Sequence, residues 1–439
     1  MSPDAMAEVF PFSALRYDPA QVEPAQVLTQ PYDKITPAMQ ERYYASSPYN
    51  LVRIILGKNE PGDDGSSNVY SRAATRFAAW RGTGILRPDP GPGFYAYCQQ
   101  FAAPGECGVI QERRGFIGLG RLEEYSAGVV FRHEQTLSRP KADRLELLRA
   151  TRAHFGQIFV LYCDPQCTLD PLLSPPRPPE VEVRDEYGVR HRLWRISEPA
   201  AVTAIRARLH GRPLVIADGH HRYETALTYR NQRRVQAGRT DPDAPYERVM
   251  MTFVNTQGGG ILILPTHRVL SGLPDFRADA GNLAAGGFFA VRDLSTEFDP
   301  ARPAALLPAT PPGETALLAV TAERAFLLRA GADVNHPALQ GLSPRQAGLD
   351  VVRLHKVVLE AGLGIGEAAV RDQRHIAYLR DAREAVERVR GGGADVAFLM
   401  NPVDVDQVTS LALAGEVLPQ KSTDFYPKLL SGLTIYALE

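Results

Sequence analysis

Leu214-Val215-Ile216-Ala217-Asp218-Gly219-His220-His221-Arg222-Tyr223-Glu224-Thr225-Ala226-Leu227 passes from apolar to polar and back within fourteen residues. Its first four residues form a short apolar run of the kind that makes a buried strand. The run stops at Asp218-Gly219, a turn dipeptide, and a helical pattern opens behind it at Glu224, Ala226 and Leu227. A strand, a glycine turn and a helix start place polar groups at the mouth of an α/β unit, where the first backbone N–H groups of the helix are free and the dipole favours an anion. Arg222 adds a guanidinium fork suited to phosphate, and His220 and His221 can donate protons, accept them or bind metal. A solvated turn with Asp218 as helix cap is the plainer alternative.

Outward from this stretch, apolar runs alternate with helical patterns. The expected strands are Asn50–Leu56, Phe94–Phe101 with Arg114–Leu122 as a hairpin turning at Gly105–Gly108, Val129–Thr136 and Gln157–Tyr162. A second hairpin is expected over Val181–Val183 and His191–Ile196, and a further strand pair over Met250–Asn255 and Ile261–Leu264. Helices are expected over Thr36–Pro37 onward, Val69–Arg81, Lys141–Arg152, Pro199–Leu209, Leu349–Ala361, Ala382–Arg390 and Asp406–Ala414. The composition turns rich in Ala, Gly and Pro after Ser271. The expectation is therefore a mixed α/β fold with a core region over 1–270, and a smaller α/β domain over 271–439 whose tail is a candidate to pack back on the core.

Composition narrows the function classes. The chain has 439 residues, 44% of them hydrophobic and 23% charged, as in an ordinary globular protein. A formal net charge of −1 argues against bulk attraction to nucleic acid or to an anionic membrane. Only six of the 49 basic residues are lysines, and Lys141 and Lys421 both fall within polar motifs where a compact ammonium is useful. Cys98, Cys107, Cys163 and Cys167 form no zinc-ribbon pattern and read as reduced structural thiols. No signal peptide and no run of 18 apolar residues is seen, so a cytoplasmic protein is expected.

Several other motifs carry chemistry. Glu134 leaves a buried strand in His133-Glu134-Gln135-Thr136, which makes it the best general-base candidate, because such a carboxylate tends to be partly desolvated. Lys141 and Arg144 open a helix beside Asp143; cations there oppose the dipole and suggest phosphate contact, with a salt bridge to Asp143 as the competing reading. Lys421-Ser422-Thr423 is a further phosphate candidate, and Asp33 and His133 are candidates for substrate contact. Gly118-x-Gly120 lacks the rest of a dinucleotide fingerprint, and no P-loop run exists.

Asp218-Gly219-His220-His221-Arg222 resembles the motif of the ParB/sulfiredoxin-like superfamily, most closely its free serine kinase branch, where it follows a strand and handles nucleotide phosphates. Over the whole chain the resemblance is to the domain-of-unknown-function family ten-fifteen. It is carried by Gln30-Pro31-Tyr32-Asp33, His133–Leu137 with Lys141–Arg144, the Asp218–Arg222 stretch, and Pro419–Lys428. The resemblance implies a nucleotide-binding core of ParB/sulfiredoxin-like type. It also implies a phosphotransferase using ATP or ADP, or another nucleotide, with Mg2+ on a small hydroxylated metabolite such as serine. Glu134, Asp218 and His220 would then be catalytic; Gly219, His221, Arg222, Lys141, Arg144, Lys421 and Ser422 would hold phosphate or nucleotide. A metal-dependent phosphohydrolase with Asp218, His220 and His221 as ligands, and a non-enzymatic nucleotide-binding regulator, are the alternatives. The expected partners are a small-molecule substrate and a nucleotide, without nucleic acid or membrane, and a homodimer stays open.

Overall fold

The computed structural model describes residues 6–104, 108–135, 138–273 and 279–438. They form two compact units. The first comprises residues up to Arg132, Thr136–Leu262 and Pro427–Glu439; the second comprises His133–Gln135 and Ile263–Tyr426.

The first unit is built on a nine-stranded mixed sheet. Its order is Val130–Phe131, Leu214–Asp218, Ile158–Tyr162, Arg248–Asn255, Ile110–Arg121, Phe94–Ala102, Arg190–Ile196 and Val181–Arg184. Val9–Phe10 extends the Phe94–Ala102 side by pairing with Gly120 and Leu119. Two contacts are parallel, Leu214–Asp218 with Val130–Phe131 and Arg248–Asn255 with Ile158–Tyr162; the others are antiparallel. The fold class is thus mixed α/β, as expected. Central strands such as Ile158–Tyr162 are buried along their whole length, which is why they read as continuous apolar runs and not as alternating ones.

Three glycines in the Ile110–Arg121 strand explain the Gly-x-Gly spacing seen in the sequence. A Cβ on Gly115 would lie 2.4 Å from the Phe253 carbonyl oxygen, one on Gly118 would lie 2.7 Å from the Phe94 ring, and one on Gly120 would lie 2.5 Å from the Met251 sulfur. These glycines serve packing across the sheet. The same region holds the Phe116–Phe253 pair, stacked with centroids 4.9 Å apart.

Two expected strands come out differently. Val52–Ile55 is a short helix, with Asn50 Oδ1 accepting from the Val52 N–H at 3.0 Å. The branched residues suggested a strand, and local capping with buried contacts for Val52, Ile54 and Ile55 overrides that propensity. Leu262–Leu264 does not pair with Arg248–Asn255, because both edges of that strand are already taken by Ile158–Tyr162 and Ile110–Arg121. The helix expected from Lys141 begins earlier, at Ser138. Gly105, Glu106 and Cys107 of the expected hairpin turn, and Thr136 and Leu137, lie outside the described residues.

The second unit contains a six-stranded antiparallel sheet in the order Ala290–Asp293, Ala325–Ala330, Thr315–Val320, Val396–Met400, His267–Leu270 and Ile376–Leu379. The Ala382–Arg390 helix contributes Ala385, Val386 and Val389 to its core with Leu318, Val320 and Leu399. Leu354–Gly362 is a π-helical continuation of the expected amphipathic helix. Among the described residues no helix is long and apolar enough to cross a membrane.

Replacing Gly115 by Ala forces a backbone shift against Phe253. We expect a loss of about 1–3 kcal/mol, read as a lower midpoint of the first unit's transition in urea. An unchanged midpoint would show that the Gly115–Phe253 approach is not tight.

Candidate functional site

The Leu214–Asp218 strand does not run straight into its turn. Its pairing with Ile158–Tyr162 shifts register between Ile216 and Asp218, so that Asp218 faces Phe159. A bulge of this kind re-aims a side chain at the end of a strand. Gly219 follows with φ +96°, a left-handed conformation that L side chains rarely adopt, and the His220–Ala237 helix starts directly behind it. No side chain caps that helix, so Asp218 is not the cap that the plainer reading supposed. The positive end of an 18-residue helix therefore lies directly behind Asp218.

Asp218 is instead surrounded by cations. Its Oδ2 accepts from Lys428 Nζ at 3.1 Å, Arg222 lies 3.8 Å from its other oxygen, and Lys34 acts on it through space. Burial works to raise the carboxyl, but Lys428, Arg222 and Lys34 outweigh it and hold Asp218 well below the usual carboxylate range. Arg222 is pinned by donating to the Gln157 carbonyl oxygen. Two glycines make room for it: a Cβ on Gly219 would sit 3.2 Å from the guanidinium, and one on Gly156 would sit 3.4 Å from Nη1. His220 is buried and His221 half-buried at the start of the helix.

Beside this turn lies a cleft enclosing about 610 Å³, part of it open to solvent. Arg222, Arg144, Tyr32, Phe155, Thr225 and Ser431 are among the residues that line it. Three of the sequence motifs therefore meet in the first unit: Pro31 and Tyr32 from the first, Arg144 from the second, and Arg222 from the third. Arg144 stands over the Tyr32 ring, 4.1 Å from its centroid, and donates through Nε to Asp143 at 2.7 Å. The intramolecular ion pair weighed at Asp143 is thus present. Lys141 donates to Glu224 at 2.8 Å, which ties its helix to the helix behind the turn. Lys141 is the fourth residue of a helix that begins at Ser138, so it stands at the end of the first turn. Asp33 is exposed on the Tyr32–Lys34 turn.

The remaining sequence candidates sit in the second unit. Lys421 donates its backbone N–H to Glu134 Oε1 at 2.7 Å, and the Leu418 N–H donates to the His133 carbonyl at 2.7 Å. His133 is buried, with Nε2 2.8 Å from Thr423 Oγ1. Ser422 donates its hydroxyl to the Pro419 carbonyl at 2.5 Å. Glu134, His133, Lys421 and Ser422 form one cluster, in which the tail from Leu418 to Thr423 is strapped to the His133–Glu134 segment.

Two of the cations around Asp218, Lys34 and Lys428, are not among the site residues expected from the sequence. Lys34 follows the Gln30–Asp33 motif directly, and Lys428 closes the tail motif. The scarcity of lysine, which had drawn attention to Lys141 and Lys421, applied equally to both.

The pH dependence of stability follows from Asp218. Its folded-state pKa is depressed, so its contribution is fully present above the ordinary aspartate range near pH 4 and is lost as the pH falls below it. We expect Asp218→Asn to flatten the acid limb of a stability–pH curve measured by urea unfolding. An unchanged limb would mean that the three cations do not stabilise the carboxylate.

Among solved structures, the chain is similar to a free serine kinase in complex with AMP at 16% identity and TM-score 0.34, over 69% of this chain and 88% of that one. It is also similar to a conserved hypothetical protein from Pyrococcus furiosus at 15% identity and TM-score 0.32, over 69% and 92%. SbnI with C-terminal truncation from Staphylococcus aureus is similar at 10% identity and TM-score 0.35, over 72% and 87%. Likeness at these scores carries no functional argument. No curated protein matches the chain. The model of the family described as protein of unknown function (DUF1015) matches residues 9–352, and the chain belongs to that family.

Proposed function

We propose that this protein is a nucleotide-dependent phosphotransferase that acts on a small hydroxylated metabolite, with serine as the first compound to test. One observation supports this above the others: Lys34, Arg222 and Lys428 gather around Asp218 at the start of a long helix. Phosphoryl transfer depends mostly on positioning and on neutralising charge that develops on phosphate oxygens. A pinned guanidinium, two ammonium groups and the amides of a helix N-terminus are the parts that such a task requires. The adjoining cleft, with Tyr32 and Phe155 among its walls and Arg144 and Arg222 at its polar side, suits a molecule with a flat apolar part and an anionic part. ATP or ADP has both.

Magnesium fits the donor set in a limited way. Asp218 offers one carboxylate, and one or two carboxylates together with nucleotide phosphates are the ligands magnesium commonly takes in such enzymes. The ion, when bound, would neutralise phosphate charge; Arg222, Lys34 and Lys428 would bind and orient the same group. The phosphohydrolase reading has less support, since among the described residues no three His, Cys, Asp or Glu side chains gather as a metal-holding group. Glu134 is proposed as the general base that takes the proton from the substrate hydroxyl, with its carboxylate oriented by the Lys421 N–H.

Calorimetric titration of ATP, ADP and CTP with magnesium tests the reading. Wild type is expected to bind at least one of them, and Arg222→Ala to weaken binding by about tenfold or more, since a charge-assisted contact is worth roughly 1.5–3 kcal/mol. Absence of binding by all three overturns it. For the base, Glu134→Gln is expected to leave nucleotide affinity intact and to lower phosphate transfer by about a hundredfold. Undiminished transfer would remove Glu134 from that role.

A further inference from the structure

Lys428, which donates to Asp218, arrives from far along the chain on the tail segment Pro427–Ser431, and that segment is held by a buried row of polar side chains. Gln99 stands opposite Arg113 on one neighbouring strand and opposite His191 on the other. The three are side by side across the sheet, and each is 1% exposed or less. Tyr97, two residues before Gln99, joins the row on the same face.

Every member of this row reaches the tail or a residue that does. Gln99 Nε2 donates to the Lys428 carbonyl at 2.8 Å. Arg113 donates to the Pro427 carbonyl and, through Nε, to Gln99 Oε1 at 3.0 Å. The Leu430 N–H donates to Tyr97 Oη at 3.4 Å. His191 anchors the other end: its Nδ1 is 2.7 Å from Tyr97 Oη, and its Nε2 is 3.2 Å from Asp185 Oδ2. A carboxylate only accepts, so Nε2 carries the proton, and Nδ1 accepts from the Tyr97 hydroxyl. Gln30, from the first sequence motif, donates to the same Asp185 oxygen at 3.0 Å.

Burying four such groups is costly unless all are bonded. An apolar row would fill the same space without that cost, and the tail could then pack without a fixed register. The row sets that register. We propose that Gln99, Arg113, Tyr97 and His191 are positioning residues that fix Lys428 against Asp218, and that they act on ligand phosphate only through Lys428. The effect on phosphate rests on the phosphotransferase reading; the effect on Lys428 itself does not.

Two measurements on the full chain test this. Acylation of surface amines, followed by mass spectrometry, gives the modification rate of Lys428, whose side chain is 10% exposed. Tyr97→Phe removes one hydroxyl at little cost in volume, and Gln99→Met removes the amide; Tyr97→Phe suffices if Gln99→Met does not fold. Each variant is expected to speed Lys428 acylation several-fold while Lys34 and Lys58 react as in wild type. An unchanged Lys428 rate overturns the inference, as does a rise shared by all lysines. Inorganic pyrophosphate titrated calorimetrically gives the second arm. Tyr97→Phe is expected to weaken binding by about tenfold in wild type and not at all in Lys428→Ala, the non-additivity of residues acting through one another. Additive losses overturn it. If wild type does not bind pyrophosphate, the phosphotransferase reading fails, and the acylation rates still decide whether the row positions Lys428.

Discussion

A carboxylate at the end of a buried strand must be compensated, and in the first unit that requirement draws distant parts of the chain together. Asp218 sits beyond a strand buried on both faces, and Lys428, Arg222 and Lys34 share its charge. Each comes from a different segment, 210 residues apart in the case of Lys428. Removing one partner would leave charge uncompensated in a poorly solvated place, which is far more costly than losing a surface pair. The ion cluster therefore constrains where the Tyr32–Lys34 turn, the helix start and the C-terminal tail can lie.

Local backbone geometry makes the cluster possible. The register shift before Asp218 and the left-handed Gly219 turn the chain sharply enough for the helix to begin directly behind the carboxylate. Gly156 and Gly219 leave the space into which the Arg222 guanidinium fits. The same geometry sets three cations and a helix N-terminus beside one carboxylate. Arg113, buried and pushed down to about 10 by desolvation, adds positive potential from behind while Tyr97 and Asp218 favour its charged form.

Much of this was legible in the residues. The apolar run Leu214–Ala217 with Asp218-Gly219 behind it described a strand, a turn and a helix start, and all three are present. The Pro199–Leu209 helix and the Val181–Arg184 and Arg190–Ile196 hairpin were also readable, since their periodicity and turn residues act over short distances. Val52–Ile55 was not, because its branched residues favour a strand until Asn50 caps a helical turn and the surroundings bury its apolar side chains. Lys141 reads as a helix-start cation and is the fourth residue of its helix, but only tertiary packing brings its ammonium to Glu224.

Residue types and periodicity alone read as a mixed α/β protein with a strand, a glycine turn and a helix start at Leu214–Leu227, and these elements are present. Those properties follow from nearest-neighbour sterics, periodicity and side-chain type. Tertiary structure alone decided which charges meet. Gln99, Arg113 and His191 are ordinary strand residues until the register aligns them across three strands, and Lys428 is only the last residue of a tail motif until that row holds its backbone. Strand order and register come from the packing of the whole sheet, and no local rule relates residue 428 to residue 218.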